Sequence, residues 1–218
     1  MSHLYQIANI PGREIGIITG ELQNITEVDV WVNPENTDML MARHFDRGIS
    51  ATIRYLGATR DDLGRVTDDI IADELNALVK GARAAAGQVI ATGAGELKES
   101  NNVKKIFHAA SVEGETGVGY TPIREIEKCV RNALKKADSK ELAGENIRSI
   151  LFHLMGTGTA QLSPEEVTKK LIDAAISYIE ENTQTKVEKV FFLARNEEDL
   201  EICTHVFENH GSIVHLKA

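Results

Sequence analysis

The stretch Ile147-Arg-Ser-Ile-Leu-Phe-His-Leu-Met155, then Gly156-Thr157-Gly158-Thr159-Ala160-Gln161-Leu162, then Ser163-Pro164-Glu165-Glu166, decides the fold. The first run is nearly continuously apolar, the pattern of a strand covered on both faces. The last four residues form a capping box with proline at N1, and Val167, Leu171, Ala175 and Tyr178 follow at helical spacing. A buried strand, a glycine-bearing turn and a capped helix make one unit of an α/β domain.

Working outward, the same alternation recurs. Leu4 to Ala8, a Pro11-Gly12 turn and Ile15 to Thr19 read as an opening hairpin, and Val28 to Val32 as a strand. Shorter strands are expected at Gln88 to Ala91, Lys105 to Ala109 and Val187 to Ala194. Thr121-Pro122 is read as a helix cap with an N1 proline before Ile123, Ile126, Val130, Ala133, Leu134 and Ala137. Asn196 can cap a last helix, with Glu197, Glu198 and Asp199 complementing its dipole. A further helix is expected from about Gly48 to Leu56, inside the poorly patterned region Asp38 to Asp69. The fold class that results is α/β, a three-layer α/β/α domain on a mixed, mostly parallel central sheet. Neither a linker nor an internal repeat divides the chain, so residues 1–218 are expected to form a single domain.

Composition narrows the function. With 42% hydrophobic and 26% charged residues the chain is of ordinary globular type. Its 24 Lys+Arg against 33 Asp+Glu leave a net charge of −9, which repels a phosphate backbone or an anionic membrane. An anion site built from backbone N–H groups is still allowed, because it needs no side-chain charge. Cys129 and Cys203 each fall on the apolar stripe of an expected helix, which suits buried thiols in a reducing compartment. The N-terminus lacks a basic region followed by a long apolar run, and no segment approaches the roughly 18 apolar residues that span a bilayer. A cytoplasmic protein is expected.

The turn at Gly156 stands where an open α/β sheet binds ligands, at the C-terminal end of a strand. Glycines there let backbone N–H groups turn toward a phosphate. There is no Gly-Lys-Ser/Thr ending, so a Walker A loop is excluded, and a tight turn that merely needs glycine remains an alternative. A second such place follows the Val28 strand, where Asn33-Pro-Glu-Asn36 precedes Asp46-Arg-Gly-Ile-Ser-Ala-Thr-Ile53. Two anion cradles at one sheet edge suit a diphosphate.

Taken in order, these motifs resemble the macro domains, the family of ADP-ribose-binding modules. Gly20-Glu21-Leu22 matches the family's Gly-Asp-Ile, and Asp29-Val-Trp-Val-Asn33-Pro34-Glu35-Asn36 matches Asp-x-Ile-Val-Asn-Ala-Ala-Asn. Arg47-Gly48-Ile49-Ser50-Ala51-Thr52-Ile53-Arg54 is similar to the first loop and helix, Gly-Gly-Val-Asp-Gly-Ala-Ile-His. Gly156-Thr157-Gly158-Thr159-Ala160-Gln161 matches the second loop, Ser-Thr-Gly-Val-Tyr-Gly, and Ile106-Phe-His-Ala109 the strand Val-Ile-His-Thr. The resemblance covers nearly the whole chain and implies ADP-ribose, or an ADP-ribosylated protein, as the partner. No separate cofactor, metal, nucleic acid or membrane is implied.

Carried over position by position, the resemblance implies that Gly20, Glu21 and Leu22 read adenine. It also implies that Arg47, Gly48, Ile49, Ser50, Gly156, Thr157, Gly158, Thr159 and Ala160 hold the diphosphate, and that Asn33 and Asn36 line the distal ribose. Arg195 either stacks on the base or pairs with Glu197 or Glu198. Two departures bear on binding: Glu21 reaches one methylene further than the family's adenine-reading Asp, and Ala160 replaces an aromatic that packs on the distal ribose. Another bears on catalysis: Ser50 replaces an Asp used by hydrolytic members. The superfamily's first-loop lysine is also missing, since no lysine precedes Lys80. Binding is therefore expected ahead of the alternative, an ADP-ribosyl hydrolase or O-acetyl-ADP-ribose deacetylase using Glu35 or Asp38. A sensor of another NAD-derived metabolite is a third reading. Glu35, Asp38 and Asp46 are otherwise expected on the solvated surface, His44 in a surface loop, and His108 and His153 as satisfied core histidines. Gly114, Gly117, Gly119 and Tyr120 read as a mobile loop, or as a lid over the ligand.

Overall fold

The structure is a computed structural model and describes residues 2–115, 118–156 and 163–215. From the N-terminus, β1 (Ser2–Ile7) and β2 (Glu14–Thr19) form the expected hairpin, followed by β3 (Val30–Asn36). Next come α1 (Ile49–Gly57), a small separate hairpin of β4 (Thr59–Arg60) and β5 (Val66–Asp68), and α2 (Ile70–Val79). The middle of the chain supplies β6 (Val89–Gly93), α3 (Leu97–Asn101), β7 (Lys105–Glu115) and β8 (Gly119–Pro122). The C-terminal part runs α4 (Glu127–Ala137), β9 (Ser149–His153), α5 (Pro164–Glu181), β10 (Lys189–Ala194), α6 (Glu197–Glu208) and β11 (Ile213–His215).

Among the described residues the main sheet has the order β11-β1-β2-β10-β9-β3-β7-β6, with β8 on β7. The central strands β2, β10, β9, β3 and β7 are mutually parallel, and the antiparallel pairs lie toward the two ends. Alternate residues of each central strand serve opposite layers, as a period of two requires. Val30, Val32, Phe107, Ile150 and Phe152 pack with Cys129, Leu171 and Phe207 beneath α4, α5 and α6. Trp31, Ile106 and Leu151 pack with Ile53, Ile71, Leu75 and Leu97 beneath α1, α2 and α3. This is a three-layer α/β/α arrangement. Both cysteines are buried in it, and burial pushes each thiol up to about 12. No helix among the described residues is long and apolar enough to cross a membrane.

Both expected caps near the C-terminus form. The Ser163 hydroxyl accepts from the Glu166 N–H while Glu166 accepts from the Ser163 N–H, and the Asn196 side chain accepts from the Asp199 N–H. Thr121-Pro122 is a correction. It belongs to β8 and pairs with Glu113 and Val112, and α4 starts only at Glu127. Proline fits an edge strand, which need not donate on its open side. Gly114, Gly119 and Tyr120, expected in a mobile loop, lie in the same β7–β8 hairpin, and Gly117 lies outside the described residues. The region Asp38 to Asp69 holds α1 and the β4–β5 hairpin, and α2 and α3 went unread in the sequence.

Candidate functional site

The cleft arises where two parallel strands part. Among the described residues β3 and β9 pair only at Val30 and Trp31, and none of them pairs with the C-terminal half of β3 on that side. Pro34, with no N–H to donate, sits in this stretch. From β3 the chain pairs one way to β7 and returns the other way to β9 and β10, which makes the gap a topological switch point, the usual ligand crevice of such sheets. Two adjoining cavities, of about 530 Å³ and about 250 Å³, occupy it and share Pro34 and Val112 as a common wall.

The larger cavity contains Glu35, Asn36, Asp46, Ser50 and Tyr120. Asn33-Pro-Glu-Asn36, expected as a segment beyond the strand, is the end of β3 itself. At its end the register with β7 slips, so that Glu35 faces Ala110 and Asn36 faces Val112, which leaves Ser111 as a bulge beside the cleft. Glu35 is only 3% exposed, which corrects its expected place on the surface. Its Oε1 accepts from Asn33 Nδ2 at 2.8 Å and from the Ser50 hydroxyl, which itself accepts from the Ala42 N–H at 3.1 Å. Burial pushes the carboxyl up to about 7, against the hydrogen bonds from Ser50 and Asn33 that favour the ion. The other two carboxylates behave differently. Asp38 is ion-paired with Arg83 at 2.7 Å and Asp46 with Arg43 at 3.0 Å.

Asn33 is fully buried behind Glu35 and does not line either cavity, a second correction. Its amide bridges Glu35 and His108 Nδ1, the latter at 3.1 Å. His108 Nε2 lies 3.0 Å from the Thr92 hydroxyl, which donates to the Gly93 carbonyl, so the ring is neutral with its proton on Nε2. His108 is thus the satisfied core histidine expected. Asn36 lines the larger cavity, where its side chain holds the Leu40 backbone from both ends.

The smaller cavity takes in Ile49, Ser111, His153, Gly156, Arg195 and Asp199. Gly48 caps α1 at φ 120°, in the region that favours glycine, and a side chain there would meet nothing. Gly156 is at φ 83°. Gly156 and Ile49, the residue after Gly48, line this cavity, while Gly48 itself lines neither. Arg47 is exposed and lines neither cavity. Thr157, Gly158, Thr159 and Ala160 lie outside the described residues. Gly20 and Glu21 border a separate hollow at the end of β2, with Leu22 buried beside them. Arg195 makes no ion pair with Glu197 or Glu198 among the described residues, although its N–H donates to Asp199 at 3.1 Å.

His153 is the residue whose sequence reading fails. It is buried, yet among the described residues neither ring nitrogen has a partner, and the ring lines the smaller cavity. The available signal was position, the last residue of the buried strand at the ligand-binding end. No group of His, Cys, Asp and Glu among the described residues is arranged to hold a metal ion.

The macro domain family model matches residues 32–171. The chain belongs to the macro domain family. Similar solved structures include the Oceanobacillus iheyensis macrodomain with ADP, 20% identical, covering 94% of this chain and 96% of that one at a TM-score of 0.66. A variant of the same macrodomain with ADPR is 18% identical over 94% of this chain and 97% of that one, also at 0.66. The Trypanosoma brucei macrodomain in complex with ADP-ribose is 16% identical, covers 88% and 68%, and scores 0.61. At these identities the likeness shows the fold. Among curated proteins no significant relative is found. In this macro domain the family-model match contains both faces of the cleft at Asn33 to Ser50 and at Gly156, while Glu21 and Arg195 lie outside it.

Proposed function

We propose that this macro domain binds ADP-ribose, free or attached to protein, in the cleft at the C-terminal ends of the central strands. The observation that carries the reading is that Ile49, at the start of α1 just after Gly48, and Gly156, just after β9, line one cavity beside a second, larger one. In this reading the diphosphate lies in the smaller cavity, with Gly48, Ile49, Ser50 and Gly156 around it, and Thr157, Gly158, Thr159 and Ala160 are its further ligands by the resemblance. Asn36 and Glu35 meet the distal ribose, and Asn33 acts from behind by holding Glu35. Glu21 and the Leu22 N–H read adenine, and Arg195 covers the base. Residues 1–218 act as one unit in the cytoplasm, in keeping with two free, buried thiols, and the net charge of −9 argues against nucleic acid as a partner. Calorimetric titration with ADP-ribose, ADP, AMP and NAD tests this. ADP-ribose should bind one to one and more tightly than AMP, and equal affinity for AMP would contradict a site that reads both ends of the ligand.

One observation favours a second reading, the ADP-ribosyl hydrolase. Glu35 is a carboxyl inside the cleft with a pKa pushed up to about 7, the range in which a general acid or base works at neutral pH. Release of ADP-ribose from a mono-ADP-ribosylated protein, lost in Glu35→Gln while ADP-ribose still binds, would support it. Binding without turnover by the unaltered protein would exclude it.

A further inference from the structure

His153 ends β9 with 5% of its surface exposed and, among the described residues, no partner for either ring nitrogen, whereas the fully buried His108 has both of its nitrogens paired. An unpaired buried polar group carries a desolvation penalty that an apolar side chain of the same shape avoids. Such a group calls for an explanation, and a ligand that supplies the missing partner is one. The ring lines the cavity that also takes in Gly156 and Ile49, the residue that follows Gly48. Of the charged groups there, Asp199 is already engaged by the Arg195 N–H, and Arg195 brings a guanidinium to the same wall. Burial, followed by Arg195, pushes the imidazole down to about 3, so near neutral pH it offers one N–H donor and one acceptor without charge.

We propose that His153 is a ligand-contacting residue that donates a ring N–H to an oxygen of the diphosphate held in the smaller cavity. This rests on the reading of the cleft as an ADP-ribose site and assigns one more side chain to its central part. The free protein then holds an imidazole at a cost to stability, and ligand binding removes that cost.

The test combines ring-nitrogen NMR on the wild type with calorimetry on two variants. The His153 resonances, assigned by their loss in His153→Gln, should move with ADP-ribose and with pyrophosphate and stay still with adenosine. His153→Phe should bind ADP-ribose at least about tenfold more weakly, or 1.4 kcal/mol, while His153→Gln stays within about threefold of wild type. A purely structural histidine gives the opposite pattern on stability, so free His153→Phe should melt no lower than wild type. If the wild type ignores ADP-ribose but pyrophosphate moves the His153 signals, the ADP-ribose reading fails and the diphosphate contact stands. If ADP-ribose binds while those signals stay still, or His153→Phe binds as tightly as wild type, the contact is overturned and the ADP-ribose reading stands. Signals that move for neither ligand overturn the contact as well. Should His153→Phe fail to fold, the wild-type resonances and His153→Gln decide alone.

Discussion

Replacing Glu35 by glutamine should remove a pH dependence built into the core of the cleft. The carboxyl is 3% exposed and its pKa is pushed from 4.5 up to about 7, chiefly by burial. A carboxyl whose pKa is higher in the folded state holds its proton more tightly there than in the unfolded chain. The stabilisation that Glu35 contributes is therefore fully present below about pH 4.5 and is lost as pH rises through about 7. The rise to about 7 corresponds to a loss on the order of 3 kcal/mol across that window. Glutamine is nearly isosteric, and its Oε1 can still accept from Asn33 Nδ2 and from the Ser50 hydroxyl. Its new NH2 group would face Asn36 Nδ2, now 3.5 Å from Glu35 Oε2, an offset that does not vary with pH. Urea unfolding of both proteins at about pH 4.5, 6 and 8 isolates the Glu35 contribution, because all other titrating groups are common to both. Glu35→Gln should gain on the wild type by on the order of 3 kcal/mol between the lowest and highest pH. Parallel stability curves would show that Glu35 is solvated and ionised like any surface carboxylate, and the argument from burial would be wrong.

Three further outcomes follow from the same geometry. Arg195→Ala should weaken ADP-ribose binding about tenfold in calorimetry, since stacking on a base is worth roughly 1–3 kcal/mol, and Arg195→Tyr should retain it. Ser50→Asp, which restores the acid of hydrolytic relatives, sets a second carboxylate against Glu35, so one of the pair must stay protonated. Denaturant melts should show this variant losing stability more steeply than wild type between about pH 5 and 8, and assays of mono-ADP-ribosylated protein should show no gain in turnover. Cys129 and Cys203, buried and with thiols pushed up to about 12, should resist a thiol reagent in the native state and both react after denaturation.

The elements legible in the sequence were those whose signal is local. The apolar run before Gly156, the Ser163 capping box and the Asn196 cap each specify their own element, and each formed as read. Thr121-Pro122 carries the same local signature as a helix start, yet its backbone is taken into β8 by pairing with Glu113 and Val112, a tertiary choice that no local pattern announces. For α2 the signal was present, with Ile71, Ala72 and Leu75 on one buried face. In the site, the glycine turns were readable because their backbone freedom is written in residue type. The burial of Glu35 and the unpaired state of His153 were not, since both depend on where β3 parts from β9 and what stands opposite. A histidine in an apolar strand looks the same in sequence whether its nitrogens are satisfied, as in His108, or left open, as in His153.

Amide chemical-shift mapping of the labelled protein during titration with ADP-ribose tests the central claim most directly, because it reports both whether the ligand binds and where. The account predicts the largest shifts at Gly20 to Leu22, Gly48 to Ser50, Gly156 and Arg195, at the C-terminal ends of the parallel strands. A cavity of about 570 Å³ lined by Lys135, Lys136 and Lys140 offers cations to any phosphate at the far end of α4. Shifts centred on those lysines, or no shifts at saturating ADP-ribose, would contradict it.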